Sequence, residues 1–336
     1  MANLKTKYLG MELKSPLIVG ACSLTDEPEK LKALEDAGAG AIVFKTLFEE
    51  QIQLEELELN SELAEFSELH AEMTKIFPTM KHAGPTEHLL KLKKAKQAVS
   101  IPVIASLNAV FMDTWVEYAK LIEQTGVDAL EINFYTTPKD FELEGKDIIA
   151  THLEVLNKVV RAVKIPITVK LSPFYTNPLH VVSRMDKTGV EGFVMFNRMF
   201  QPDIDIETEH LEQTIMLSSS HDARLSVRFT GLLYGNIAAD ICSASGILTG
   251  EDAIKTMLAG ANAFQVVSAL YQKDIKYIGT ILNDISNWMD RKGYNTIDDF
   301  KGKLAKVNLK DPFAYRRAQY VEILMHSHDV LKKTKL

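Results

Sequence analysis

Two lysines and two asparagines stand out by position. Lys45, Asn133, Lys170 and Asn197 each close a short apolar run: Ile42-Val43-Phe44, Leu130 and Ile132, Ile167 to Val169, and Phe193-Val194-Met195-Phe196 respectively. Ser268 closes another, behind Phe264, Val266 and Val267. A charged or amide side chain at the end of a buried run is costly unless it is paired or faces a ligand. A structural ion pair would account for either lysine singly. Two cations and two amides brought to one place suit a planar, polar, partly anionic ligand.

The runs share entry signals that say how such a place could be built. Ala37-Gly38, Thr125-Gly126, Thr188-Gly189 and Ala259-Gly260 precede four of them. Glycine leaves a helix readily because it takes a left-handed conformation without a Cβ clash, and a short apolar run behind it reads as a buried parallel strand. Ile101-Pro102-Val103 and Ile165-Pro166-Ile167 mark two further strand starts, with Ser106 and Lys170 each four residues past the proline. Eight strands are predicted, over 17–21, 41–46, 103–108, 129–134, 167–172, 192–197, 239–243 and 263–268. Helices are predicted over 27–36, 113–124, 148–163, 180–187 and 250–258, with one more carrying Leu225, Phe229, Leu232, Leu233 and Ile237. This regular alternation predicts an α/β protein of the (β/α)8 TIM barrel kind, ahead of an open doubly wound sheet, and in either fold ligands sit at the carboxyl ends of the strands.

Composition narrows the chemistry. The 336 residues are 46% hydrophobic and 25% charged, with a net charge of -7. That balance argues against nucleic acid as a partner, because neutralising phosphates needs a basic face. The densest basic run, Lys91 to Lys96, reads as a solvated helix face. The two cysteines, Cys22 and Cys242, support neither a disulfide framework nor a cysteine-ligated metal site, so no metal is expected and redox chemistry would need a bound organic cofactor. The N-terminus lacks the apolar core of a signal peptide and no stretch approaches a membrane span, so a cytoplasmic protein is expected.

Two segments fall outside the alternation. Between Leu47 and Thr74 there are nine Glu and no Lys or Arg, which predicts an acidic helical insertion after the second strand, over the barrel mouth; a solvated face is the plainer alternative. Residues 305–336 are expected as a C-terminal helical extension to a barrel of residues 1–304. Its amphipathic stretch 313–331 could cap the barrel or form a homodimer contact. Near the other end of the barrel, Ser245-Gly246-Ile247 before Thr249-Gly250-Glu251-Asp252 reads as a strand, a turn and a helix start. Exposed backbone N–H groups at such a turn suit a phosphate.

Several motifs together resemble the dihydroorotate dehydrogenase family: Ser15-Pro16-Leu17, Phe44-Lys45-Thr46, Leu130-Glu131-Ile132-Asn133, Val169-Lys170-Leu171-Ser172-Pro173, Ser245-Gly246-Ile247 with Gly250-Glu251-Asp252-Ala253, and Gly260-Ala261 through Ser268-Ala269-Leu270. Lys292-Gly293-Tyr294 with Phe300 follows the same order, and the likeness covers about residues 8 to 304. It implies an FMN-dependent oxidoreductase that moves hydride between the flavin and a CH–CH or C=C unit of a dihydropyrimidine or similar small ring. By position, Ala21, Lys45, Thr46, Ser106, Asn108, Asn133, Lys170, Ser245, Gly246, Val267 and Ser268 would contact FMN, while Lys45, Asn133 and Asn197 would face the substrate. Lys170 would offset negative charge on the reduced isoalloxazine.

The resemblance changes character just past Asn133. Where the family carries a Cys or Ser base before a Pro-Asn pair, this chain reads Asn133-Phe134-Tyr135-Thr136-Thr137-Pro138-Lys139. Thr136 takes the base position, without a neighbouring His in that stretch, and Tyr135 is a candidate proton donor. An acidic insertion at the mouth would disfavour a substrate carboxylate. Two alternatives stand beside the flavoenzyme: a Schiff-base aldolase using Lys170 or Lys45, and a flavin-binding protein with little turnover. With no cysteine cluster, no Gly-x-Gly-x-x-Gly fingerprint and no membrane helix, a soluble acceptor or partner flavoprotein is the expected electron partner.

Overall fold

The computed structural model describes residues 2–53, 85–135, 141–199, 201–212 and 215–326. The chain starts with an antiparallel hairpin, β1 (Thr6–Tyr8) and β2 (Met11–Leu13). Parallel strands follow: β3 (Leu17–Val19), β4 (Ala41–Val43), the two-residue β5 (Leu47–Phe48), β6 (Val103–Asn108), β7 (Ala129–Asn133), β8 (Ile167–Leu171) and β9 (Gly192–Met195). An antiparallel hairpin, β10 (Asp203–Asp205) and β11 (His210–Glu212), interrupts the series before β12 (Asp240–Ser243) and β13 (Ala263–Val266).

Strands β3, β4, β6, β7, β8, β9, β12 and β13 pair in that order, and β13 pairs back onto β3, which closes an eight-stranded parallel barrel. The predicted (β/α)8 architecture is therefore the fold. Most strands end before their predicted limits. Lys45 and Thr46 lie beyond β4, and Asn197 lies beyond β9, because ladder pairing gives way to side-chain contacts at the mouth. Gly38, Gly126, Gly189 and Gly260 all take positive φ, as the helix-to-strand pattern requires. At Gly260 the requirement is also spatial, since a Cβ there would lie 2.4 Å from the Tyr234 ring.

Alternation along the strands sorts the side chains into two cores. One face packs outward against the helices, with Val103, Ile132, Val169 and Phe193 meeting Leu31, Trp115, Leu156 and Met257 in a continuous buried cluster. The other face fills the bore. Its floor is apolar, from Ile18, Ala41, Val43, Ile104, Ala129, Val194, Cys242 and Ala263, and the N-terminal hairpin plugs it with Tyr8, Leu9 and Leu13. The Tyr8 hydroxyl shares a 2.8 Å hydrogen bond with Thr168, so this plug is pinned to β8. Two residues further along four of the strands the bore turns polar: Ser106 above Ile104, Glu131 above Ala129, Lys170 above Thr168 and Gln265 above Ala263. A strand period of two thus carries side chains from an apolar floor to a polar mouth.

Three expected features change. The helix expected to reach Ile237 spans Ala223–Leu233 and stops there because Gly235 turns with φ 76. The first residues of the acidic insertion are helical, yet Glu49 points inward; it accepts hydrogen bonds from the Val110 and Phe111 amides and the Thr114 hydroxyl, and so braces the start of helix Met112–Glu123. The other insertion glutamates except Glu50 lie outside the described residues. The C-terminal stretch forms a helix over Ala318–Met325 with no buried residue, reached after Tyr315 packs over Gly231 on the outer helix. Residues 327–336 lie outside the described residues. Helix Tyr277–Lys292 was not among the expected elements, although Ile278, Ile281, Ile285 and Met289 mark its buried face.

Candidate active site at the barrel mouth

The mouth is built where β4, β6, β7, β8 and β9 end. Asn133 is the last residue of β7 and lies opposite Lys170 in the β7–β8 register. Its side-chain oxygen accepts from Asn197 Nδ2 at 2.7 Å, and its carbonyl accepts from Asn108 Nδ2 at 2.8 Å. Three amides from three strand ends therefore form one chain across the rim. Below them the Thr46 and Ser106 hydroxyls share a 2.9 Å hydrogen bond, with Ser106 wholly buried. Lys45 projects at the edge and its ammonium pairs with Asp26 at 3.0 Å.

Lys170 is held from beneath. Its ammonium donates to Gln265 Oε1 at 3.0 Å and lies 3.7 Å from Glu131 Oε1, while Gln265 Nε2 donates to Glu131 Oε2 at 2.6 Å. Glu131 and Gln265 are buried, and neither was foreseen as part of the site. Their signal was present: each stands two residues before a mouth residue, Asn133 or Val267, on the same face of its strand.

The opposite side of the rim is shaped by backbone. Ser245 and Gly246 are consecutive residues of positive φ, 68 and 73, just past β12. A Cβ at Gly246 would lie 2.3 Å from the Ala223 amide nitrogen, so only glycine fits. Ser245 Oγ donates to the Phe196 carbonyl at 2.8 Å, tying this turn to the end of β9. Ser268 accepts from the Ser218 amide at 3.0 Å, which brings the chain returning from the β10–β11 hairpin over the β13 end. The start of helix Gly250–Ala259 is closed by its own capping box, with Asp252 accepting from the Leu248 and Thr249 amides. That helix end therefore already carries a carboxylate. Ala21 lies past β3, in a loop whose Ser23 binds the Tyr271 hydroxyl at 2.6 Å. Gly20, just before it, leaves room beside Val267, since a Cβ would come 2.9 Å from Val267 Cγ2.

Tyr135 follows Asn133 and Phe134 at the end of β7 and lines a cavity of about 360 Å³ with Asn108, Trp115 and His152. Thr136 lies outside the described residues. His152 comes from helix Gly145–Ala162 and stacks on Phe134 with ring centroids 4.1 Å apart; its Nδ1 meets the Tyr175 hydroxyl at 3.0 Å. Burial pushes His152 down to about 4 and Tyr175 up, so both are neutral at ordinary pH. The fold thus brings a histidine close to the loop whose own sequence has none. Burial likewise raises the Cys22 thiol beyond its ordinary value, which leaves it protonated near the mouth.

A parallel barrel that gathers ammonium groups, an amide chain and a left-handed Ser-Gly turn at its carboxyl face belongs to the class that holds a phosphate-bearing planar cofactor above its strand ends. A family model for dihydroorotate dehydrogenase matches residues 77–289. The chain is 25% identical over 309 residues to the catalytic subunit of dihydroorotate dehydrogenase B (NAD(+)) from Methanocaldococcus jannaschii, covering 89% of this chain and 97% of that one. It is 25% identical to the corresponding subunit of Thermoplasma acidophilum, over 90% of this chain and 99% of the other. It is 29% identical to dihydroorotate dehydrogenase A (fumarate) of Lactobacillus helveticus, over 65% of this chain and 72% of the other. This chain belongs to the dihydroorotate dehydrogenase family. It is an FMN-dependent oxidoreductase, in which the flavin exchanges hydride with a CH–CH or C=C unit of the substrate.

The residues present fit FMN. Lys170 is only 13% exposed yet open toward the mouth, so it can meet negative charge on a ring system. The left-handed Ser245–Gly246 turn is held in place by close packing, since a Cβ at Gly246 would meet the Ala223 and Ser219 backbone. One oxygen of the buried Glu131 carboxylate has no hydrogen-bond partner, which marks the bore beneath the mouth as built for more than packing.

Proposed function

We propose that FMN lies against Ala21, Thr46, Asn133, Lys170, Gly246, Val267 and Ser268, with its phosphate at the Ser245–Gly246 turn. Ser106 and Asn108 act beneath and beside it. The observation that carries this reading is the convergence of Lys170, the Asn108–Asn133–Asn197 amide chain and the positive-φ Ser245–Gly246 turn on one rim. Lys45, Asn133 and Asn197 orient the substrate, which we take to be a dihydropyrimidine or similar small ring. Asn197 fixes the Asn133 amide so that its nitrogen is left to donate toward the mouth. Thr136 and Tyr135 hold and move the proton that accompanies hydride transfer.

The aldolase alternative has no comparable support. Both lysine nitrogens are tethered by partners, Lys170 by Gln265 and Lys45 by Asp26, and the family match supports the flavoenzyme instead. Kinship with NAD-linked catalytic subunits favours a partner subunit as electron acceptor. Among the described residues no helix is long and apolar enough to cross a membrane. Residues 305–336 form, in this reading, an extension to a barrel of residues 1–304.

The test is anaerobic mixing of FMN-loaded protein with dihydroorotate, other dihydropyrimidines and, after reduction, cyclic enones, followed by flavin absorbance. Bleaching by one dihydropyrimidine or reoxidation by one enone identifies the substrate class. A flavin inert to all of them would leave the low-turnover flavin binder as the better account. With a reactive substrate in hand, Thr136→Val is expected to slow flavin reduction by about a hundredfold. An unchanged rate would remove Thr136 from the proton path.

A further inference from the structure

The flavin site accounts for Lys170 but not for the buried carboxylate under it. Glu131 is fully buried on β7, and a buried carboxylate is tolerated only when paired and hydrogen-bonded. Here the satisfaction is partial. Oε2 accepts from Gln265 at 2.6 Å, whereas Oε1 has no hydrogen-bond partner and faces the Lys170 ammonium at 3.7 Å. The bridge is not local. Gln265 lies on β13 and Lys170 on β8, with β12 and β9 between them around the ring, so the amide spans the bore. It touches the cation with its oxygen and the anion with its nitrogen. The other titratable groups facing this layer from below are the Cys242 thiol and the Tyr8 phenol. Burial raises both well above their ordinary values and keeps them neutral.

We propose that Glu131 is the counter-charge of Lys170, and that the Glu131–Gln265–Lys170 bridge sets how strongly the barrel stabilises negative charge on the bound flavin. This makes Glu131 and Gln265 positioning residues that reach the flavin only through Lys170. An unopposed ammonium beneath the ring would favour the reduced, anionic flavin; a carboxylate 3.7 Å behind that ammonium moderates it. The spacing suits this role, because Lys170 can turn toward the mouth without leaving the field of Glu131. It also explains why Oε1 is left without a donor, since a full hydrogen bond there would hold the ammonium down in the bore.

The inference rests on FMN occupying the mouth and is tested by the midpoint potential of the FMN-loaded protein, measured by equilibration with a reference dye. Glu131→Gln is expected to shift the potential to a more positive value, with Glu131→Asp returning it toward that of the parent protein. Gln265→Met, which cuts the bridge but keeps both charges, is expected to shift it the same way by a smaller amount. It also serves as the deciding variant if Glu131→Gln does not fold. An unchanged potential in FMN-loaded Glu131→Gln, or in Gln265→Met where only that variant folds, overturns the proposal. A parent protein that takes up no FMN would overturn the cofactor assignment itself, which is a distinct result.

Discussion

The two halves of the barrel mouth are made by different means. On the β12–β13–β3 side, position is set by backbone: the positive φ of Ser245 and Gly246 and the missing Cβ at Gly20 and Gly246. On the side that runs from β4 to β9 it is set by side chains: the Lys45–Asp26 pair, the Asn108–Asn133–Asn197 amides, and aromatic rings backed by His88 and His152. A backbone cradle admits little variation, because any Cβ collides. A side-chain lining can be rewritten one residue at a time while the strands stay in place. The difference teaches how one barrel can hold one side of its mouth fixed while the other is rewritten, and the stretch Asn133-Phe134-Tyr135-Thr136, where this chain departs from the family's pattern, follows β7.

The sharpest way to break this contrast is Gly246→Val. The substitution combines a left-handed backbone with a Cβ placed 2.3 Å from the Ala223 nitrogen. Strain and displacement together are expected to cost about 3 kcal/mol, roughly a hundredfold in FMN dissociation constant. Flavin fluorescence titration measures it, and near-parental affinity would show that the turn is not a rigid cradle.

Acid should separate the halves next. His152, stacked on Phe134, and His88, edge-on to Phe44, are each pushed down to about 4 by burial, and both back the β4–β9 side. A folded value below the unfolded one means the unfolded state takes the proton first. Each histidine therefore contributes stability that is present above about pH 6.5 and is lost as pH falls toward 4, on the order of 2 kcal/mol apiece. Hydrogen exchange between pH 7 and 4.5 should show Phe44 and Phe134 loosening before Gly246 and Ser268. Uniform loosening, or a pH response unchanged in His152→Gln, would count against the distinction.

The smallest expected effect sharpens the side-chain half. Asn197→Ala removes the donor that orients Asn133 but leaves the strands intact, for a loss of about 1 kcal/mol, or roughly fivefold, in substrate binding. FMN affinity, to which Asn133 also contributes, should fall by less than substrate affinity. Steady-state KM beside flavin titration checks both, and a parallel loss in the two would mean that the halves are coupled.

Much of this molecule was legible before folding. The glycine before four of the strands, the proline at two strand starts and the period of two along β6 and β7 are local features, set by sterics within a few residues. They were enough to find all eight barrel strands and the two lysines and two asparagines that reach the mouth. Three-residue strands such as β1 and β10 carry too few residues to show a period, which is why both hairpins went unforeseen. Glu49 reads in sequence as one more surface acid, and only tertiary contact turns it into the buried brace of helix Met112–Glu123.

By itself, then, the sequence determined the barrel and the polar residues that close its strands at the carboxyl face, because these follow from backbone sterics and strand alternation. The tertiary structure alone decided the partners. Glu131 meets Gln265 across 134 residues, His152 reaches Phe134 from the next helix, and Ser218 returns from the β10–β11 hairpin to Ser268. Such pairings depend on closure of the ring and on the path of the loops, and no local pattern encodes the distance between two side chains that meet only when the first and last strands pair.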